Sequence, residues 1–233
     1  MKKNKENNLD LLGTMSASLI HEINNPVAAI SARLELIKSY VKKDNLDKDK
    51  LLNEIETINQ KISKITSIVS TIKDLSRVND EIEFSPFLLE DVKNKLSNEL
   101  NVLASESKVK IHWELNDEIY FYADLDEITL IAENLVKNAI DELVGGGTIK
   151  IKTSCLDDSA FIDFIDSGKG VASTYIDSLF KPFKTSKEKG KGTGLGLAVS
   201  KSIAQRNDGD LVYLDESKQT TFRLILKKVV LDE

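Results

Sequence analysis

Two long apolar stripes constrain this chain more than any other feature. Leu12, Leu19, Ile23, Val27, Ile30, Leu34, Ile37 and Val41 recur at steps of three or four, apart from one seven-residue step. Leu51, Ile55, Ile58, Ile62, Ile65, Val69, Ile72 and Leu75 repeat at 4-3-4-3-4-3-3 spacing. Such spacing lays one apolar seam along a helix, and the second series is heptad-like, which asks for partner helices. The spacing predicts helices over residues 8–43 and 47–79, joined by a turn at Asp44-Asn45 within the polar stretch KKDNLDKDK. The first would be roughly 50 Å long at about 1.5 Å per residue, which suits a bundle better than a globular core. Two such helices make a hairpin whose stripe stays partly wet, and two hairpins paired into a four-helix bundle bury it. A homodimer through residues 8–79 is therefore expected; the alternative is a monomeric hairpin packed on the second half of the chain.

Within the first stripe lies His21-Glu22-Ile23-Asn24-Asn25-Pro26. His21 is two residues from both Leu19 and Ile23, so helical phase turns it roughly 200° from the seam, toward water. Alone, this reads most simply as a solvated surface histidine. Pro26 has no N–H to give the carbonyl of Glu22, and its ring crowds that carbonyl, so a bend beside His21 is predicted.

Charge and cysteine usage exclude several classes. Lys plus Arg total 32 against 38 Asp plus Glu, a net charge of −6, which argues against nucleic acid or an anionic membrane as the main partner. A single cysteine, Cys155, rules out an internal disulfide framework and suits a reducing compartment. The sequence holds no run of 18 apolar residues, and the start MKKNKENNLD lacks the apolar centre of a signal peptide. A cytoplasmic location is expected.

Near residue 80 the pattern changes. Asn79-Asp80-Glu81 followed by Pro86 reads as a linker, dividing a hairpin domain, 1–80, from a second domain, 81–233. Strands are predicted over 82–85, 108–114, 118–122, 148–155, 160–165, 211–214 and 221–226, and helices over 88–104, 125–143 and 195–205, with a short helical turn near 173–179. The segment 148–165 reads as an antiparallel pair. The whole predicts an α/β sandwich, with a sheet on one side and helices on the other.

Four motifs in this second part bear on chemistry. Asn134 and Asn138 sit four apart in a predicted helix, hence on one face. Asparagine disfavours helix interiors, and the carbonyl oxygen of Asn138 is a hard ligand suited to Mg2+. Asp166-Ser167-Gly168-Lys169-Gly170 follows an apolar strand. Its glycines allow close approach of a flat ligand, and an aspartate there can accept a hydrogen bond from an exocyclic amine such as that of adenine. Phe180-Lys181-Pro182-Phe183 puts two aromatics into a polar loop, where they can anchor it. Last, Gly190-Lys191-Gly192-Thr193-Gly194-Leu195-Gly196-Leu197 opens a helix, with Lys184, Lys187 and Lys189 upstream. Free backbone N–H groups and the helix dipole make a phosphate cradle, and the lysines suit a lid over a triphosphate. The spacing matches neither a P-loop nor a dinucleotide fingerprint.

Taken together, HEINNP, ENLVKNA, DSGKGV, LFKPF and KGTGLGLAVSKSI resemble, in order and spacing, the H, N, G1, F and G2 boxes of two-component sensor histidine kinases, over about residues 9–227. HEINNP and PFKTSK look most like the nitrogen-regulatory branch. The resemblance implies a dimerisation and phosphotransfer hairpin followed by a Bergerat-type ATP-binding domain. By position it implies that His21 accepts the phosphoryl group, that Glu22 orients the imidazole and takes its proton, and that Asn25 positions water for dephosphorylating a partner's aspartyl phosphate. It implies Mg2+ on Asn138, phosphates near Asn134, adenine read by Asp166 and a base pocket lined by Gly168 and Gly170. Lys187, Gly192, Thr193, Gly194, Leu195 and Gly196 would meet the phosphates of ATP. The implied function is an ATP-dependent autokinase that passes phosphate to an aspartate of a response regulator and dephosphorylates that regulator.

An unperturbed imidazole titrates at about 6.5 and is mostly a neutral nucleophile near pH 7, which agrees with the implied chemistry. Related ATPases that use water carry glutamate four residues before the metal asparagine; here that position is Asn134, which favours transfer over hydrolysis. Two positions depart from the family pattern. Asp141 stands where Lys or Arg is common, and Ser167 where asparagine is common. Input would come from a separate sensory protein or a sensor region outside this sequence. The competing readings are a phosphotransfer scaffold with a non-catalytic second domain, and an ATPase of the gyrase or chaperone type.

Overall fold

A computed structural model describes residues 2–42, 47–77, 82–116, 118–185, 193–215 and 219–230. The predicted turn at Asp44-Asn45, the linker Asn79-Asp80-Glu81, and Lys187, Lys189, Gly190, Lys191 and Gly192 lie outside the described residues. The chain divides into two units, Met1–Asn79 with Lys181–Leu195, and Asp80–Phe180 with Gly196–Glu233.

In the first unit, α1 (Lys2–Val41) and α2 (Lys48–Arg77) form the helical hairpin. Cross-helix partners run in opposite directions: Leu19 packs with Ile68, Glu22 pairs with Lys64 at 3.0 Å, and Arg33 pairs with Glu54 at 2.7 Å. Helix α1 is assigned straight through Pro26, whose side chain is buried. Asp47 begins α2 by accepting hydrogen bonds from the backbone N–H groups of Asp49 and Lys50. Along α2 the heptad seam splits into two columns. Leu51, Ile58 and Ile65 are half-buried against the hairpin, whereas Ile55, Ile62 and Val69 are exposed at 42%, 48% and 52%. On α1, Val27, Leu34 and Val41 are likewise exposed.

The second unit is a sheet with helices against one face. Its elements are β1 (Ser85–Phe87), α3 (Leu89–Glu106), β2 (Val109–Glu114), β3 (Tyr120–Ala123), α4 (Leu125–Glu142), β4 (Gly147–Leu156), β5 (Ser159–Asp166), α5 (Ser173–Ile176), α6 (Gly196–Arg206), β6 (Asp210–Tyr213) and β7 (Thr220–Val229). Among the described residues the strand order is β1-β3-β7-β5-β4-β2, with β6 alongside β7; only β2–β4 is parallel. Alternation along the strands sorts the two faces. Ile149, Ile151, Ile162, Leu224 and Leu226 are buried in the core, as are Val92, Leu96 and Leu100 of α3, Ile128, Ile131 and Leu135 of α4, and Val199 and Ile203 of α6. Polar residues such as Lys150, Lys152 and Arg223 occupy the alternate positions of β4 and β7. The α3, α4 and α6 helices therefore supply one layer and the sheet the other.

One strand falls elsewhere than predicted. The sequence suggests 82–85, but β1 is Ser85–Phe87 and includes Pro86. Proline is tolerated because, among the described residues, β1 is an edge strand paired only with β3, so its missing N–H interrupts no ladder on the other side.

A buried polar knot ties the start of α4 to the end of α6. Asp124 caps α4, accepting from the N–H groups of Asp126 and Glu127 at 3.0 and 3.1 Å. Asn207, fully buried, accepts from the N–H of Asp124 at 2.8 Å and donates to Glu127 at 2.6 Å. Arg206 pairs with Glu127 at 3.0 Å. Burial pushes the Glu127 carboxyl above its ordinary range, and the Arg206 and Asn207 contacts oppose that rise. This knot fixes the two helices that carry the site in this unit.

Candidate active site

On α1, His21 is exposed, as helical phase requires. Asn25, one turn further, brings its amide nitrogen to 3.1 Å from His21 Nδ1. With the amide nitrogen donating, Nδ1 accepts and a neutral ring carries its proton on Nε2. Glu22 points to the neighbouring helix, where Lys64 Nζ lies 3.0 Å from its Oε2. His21 and Asn25 are thus brought together, whereas the Glu22 carboxylate is held by α2. Lys64 is a residue that sequence reasoning missed; only the hairpin register reveals it.

The first unit also takes in the segment around Phe183 and Leu195. Leu195 is fully buried with Leu19 and Ile68, and Ile23 and Phe183 pack against them. The N–H of Phe183 donates to Gly194 O at 2.8 Å. Phe183 has φ +63 and Gly194 φ +64. A Cβ at Gly194 would meet the Phe183 carbonyl carbon at 2.6 Å, so only glycine closes this loop. Thr193 Oγ1 accepts from the N–H of Leu195 at 3.3 Å.

In the second unit, Asn134 and Asn138 face each other along α4, the Asn138 amide nitrogen donating to Asn134 Oδ1 at 3.4 Å. Asn134 in turn donates to Ser200 Oγ on α6 at 2.8 Å. Gly196 is the close-approach point, because a Cβ there would lie 2.4 Å from Asn134 Oδ1. Glu133, the neighbour of Asn134, is ion-paired with Lys137 one turn on.

Asp166 ends β5 and is 7% exposed. Burial raises its carboxyl above the usual carboxylate range, against hydrogen bonds from the Gly168 N–H and the Thr220 side chain. The Gly168 N–H lies 2.7 Å from Asp166 Oδ1, and a Cβ at Gly168 would meet that oxygen at 2.6 Å. Ser167 closes the turn onto β4: its N–H donates to Thr148 O and its hydroxyl accepts from the Thr148 N–H, both at 3.0 Å. Gly170 has φ +79, and just beyond it the Val171 N–H donates to the Tyr213 hydroxyl at 3.3 Å. Phe180 stands edge-on to Phe222, with Lys201 Nζ 5.1 Å from its ring centre. Tyr213 and Ser200 were not legible as site residues in the sequence.

The donor set can be compared with Mg2+. Among the described residues no three His, Cys, Asp or Glu side chains gather as a metal cage. Nucleotide-bound Mg2+ needs none, since it keeps waters and phosphate oxygens and takes one or two protein oxygens. The Asn138 side chain fits that role by its chemistry, since an amide oxygen is a hard donor of the kind such an ion takes.

The description "His Kinase A (phospho-acceptor) domain" matches residues 11–81, and "Histidine kinase-, DNA gyrase B-, and HSP90-like ATPase" matches residues 123–230. Together the two cover most of the chain and leave each motif in the domain that requires it. The chain belongs to the two-component sensor histidine kinases.

Similar members of that family include sporulation kinase D of Bacillus subtilis (strain 168), 31% identical over 224 residues, which are 94% of this chain and 42% of that protein. Sensor histidine kinase ZraS of Escherichia coli (strain K12) is 28% identical over 236 residues, covering 96% of this chain and 47% of the relative. The chain thus spans less than half the length of these two relatives. Among solved structures, histidine kinase ThkA in complex with response regulator protein TrrA gives a TM-score of 0.73 at 22% identity, over 98% of this chain and 65% of that one. Acinetobacter baumannii histidine kinase AdeS gives 0.66 at 22% identity, over 89% and 97%. Both support the fold: a helical hairpin followed by an α/β domain. Among the described residues no helix of this histidine kinase core is long and apolar enough to cross a membrane.

Proposed function

We propose that this chain is an ATP-dependent histidine autokinase whose phosphoacceptor is His21. The observation that carries the reading is an exposed helical imidazole, contacted at Nδ1 by Asn25, in a phospho-acceptor domain joined to an ATPase-like domain. In the reaction the bond between the γ-phosphorus and the β-bridging oxygen breaks, a P–N bond forms to Nε2, and ADP leaves. Attack from Nε2 requires the ring proton on Nδ1, the opposite tautomer to the one in which Asn25 donates to Nδ1, so the ring gives up that contact before it reacts. The proton leaves Nδ1 toward Glu22 or water as the imidazolium forms. For this Glu22 must release Lys64, which its position at the helix surface allows.

In the second domain, Asp166 is the acceptor for the adenine amine, with Gly168 and Gly170 beside the base. Asn138 holds Mg2+, and Asn134 sets the nearby amides. The glycine motif supports phosphate contacts from Lys187, Gly192, Thr193, Gly194 and Gly196, and from Leu195 through its backbone, since its side chain is buried. Bound Mg2+ supplies charge neutralisation on the transferring group. Residues 1–80 act as the dimerisation and phosphotransfer domain and 81–233 as the ATP-binding domain. The homodimer forms through the exposed column Ile55, Ile62 and Val69. The phosphoryl group passes to a response-regulator aspartate, a partner class supported by the ThkA–TrrA likeness. Asn25 positions water for the reverse duty, dephosphorylating that regulator. HEINNP and PFKTSK support placement in the nitrogen-regulatory branch, and a cytoplasmic setting suits the exposed Cys155. Sensory input comes from a separate protein or from sequence beyond this chain.

Radiolabelled ATP is expected to leave acid-labile, base-stable phosphate on the protein, and His21→Ala to abolish it. Label that survives the substitution would overturn the assignment. Phosphate release without any phosphoprotein would favour a gyrase-type ATPase instead.

A further inference from the structure

We propose that Ser200 is a positioning residue for nucleotide-bound Mg2+, setting through Asn134 which end of the Asn138 amide faces the metal. The inference rests on the reading that Asn138 is the magnesium ligand.

Ser200 is 2% exposed, in the middle of α6, and belongs to none of the glycine positions that make the phosphate loop. Its hydroxyl oxygen lies 2.8 Å from the Asn134 amide nitrogen. Gly196 is one turn before Ser200 on the same face of α6. The Asn134 nitrogen is held by Ser200, and its oxygen lies 2.4 Å from the Cβ that Gly196 lacks. The oxygen therefore sits at the first turn of α6, where unpaired N–H groups and the positive end of the helix dipole favour it. With the oxygen there, the nitrogen is left for Ser200. A fixed Asn134 oxygen in turn accepts from the Asn138 nitrogen, at 3.4 Å. An amide has two ends, and a metal binds only the oxygen. Holding the Asn138 nitrogen toward Asn134 turns its oxygen the other way.

Without Ser200 the chain of orientations loses its anchor. The half-buried Asn134 amide nitrogen would be left without its acceptor, and rotation of that amide would relieve it. Rotation would then offer Asn138 a nitrogen in place of an oxygen, and the contact that holds the Asn138 nitrogen toward Asn134 would be lost. The effect falls on the metal and not on the base, because the adenine pocket at Asp166 is built from β5, Gly168 and Thr220.

The test measures affinity for a fluorescent ATP analogue on the full chain, in Mg2+ and in EDTA, together with the melting temperature of the apo protein. Ser200→Ala is expected to cut the ratio of the two affinities by about three- to tenfold, by weakening binding in Mg2+ and leaving binding in EDTA unchanged. Ser200→Thr, which keeps the hydroxyl, is expected to restore the ratio. Equal weakening with and without Mg2+ would mark a merely structural serine and overturn the inference, as would an unchanged ratio. If Ser200→Ala does not fold, Ser200→Cys, which keeps the size but is a far weaker hydrogen-bond acceptor, must lower the ratio in the same way. Mg2+-independent binding by the unsubstituted chain would overturn the magnesium reading itself; Mg2+-dependent binding that both variants retain would overturn only the positioning role.

Discussion

The buried Asp166 carboxyl costs stability near neutral pH. Its carboxyl is buried and raised, so between its ordinary value of 3.8 and its higher folded value the folded chain binds the extra proton. Stability contributed by that proton is present at low pH and is lost as pH rises through the folded value. Asp166→Asn is therefore expected to raise the melting temperature of the apo protein near neutral pH, with the gain vanishing toward pH 4, and to abolish ATP binding; thermal melts across pH with a nucleotide titration check both. Gly196→Ala should be destabilising by about 1–3 kcal/mol, the usual cost of forcing a methyl into a filled space, because Asn134 Oδ1 occupies the position of the new Cβ. Denaturant unfolding reads this directly. Asn25→Ala should spare most His21 phosphorylation and suppress regulator dephosphorylation; equal loss of both would count against the water-positioning role. At this scale the sequence was informative where a residue type was out of place. Asn134 and Asn138 inside a helix, and Asp166 before glycines, drew notice for that reason. Ser200 did not, since a helical serine is ordinary until its neighbour is known. Lys64 did not, because its partner is 42 positions away and depends on the helix register.

At the scale of elements, the apolar spacing foretold both hairpin helices and the three helices of the α/β layer, because burial on one face writes a period into the sequence. Strand edges were less legible. Pro86 suggested a stop, yet an edge strand has no second ladder to interrupt. Pro26 suggested a bend in α1, and the helix runs through it to Val41. The column of Ile55, Ile62 and Val69 carries the element-scale prediction. Ile62→Lys should convert a dimer to a monomer in sedimentation while leaving ATP binding by the α/β domain intact. A dimer that persists would move the interface elsewhere on the hairpin.

For the molecule as a whole, two units with separate cores imply two unfolding events. One should depend on protein concentration, since the hairpin is completed by a second copy. The other should depend on nucleotide, with a gain of about 2.7 kcal/mol at a hundredfold excess over the dissociation constant. Calorimetry at several concentrations, with and without Mg2+ and a non-hydrolysable ATP analogue, separates them. The division itself was only partly legible. The linker at residues 79–81 announced a boundary, but nothing in the composition of Lys181–Leu195 says that it groups with the hairpin. That grouping depends on tertiary packing by Leu195 and Phe183, which no local period records.

The descending pairs between α1 and α2 act as a vernier. Sliding α1 by one turn in one direction would bring Arg33 opposite Lys50, and in the other direction would set Glu22 against Ile68 and Arg33 against Ile58. Either slip trades matched charges for repulsion or for charge on an apolar row. The two ion pairs thus oppose longitudinal sliding of α1 along α2. Rotation of a helix about its own axis leaves the longitudinal register of these pairs unchanged.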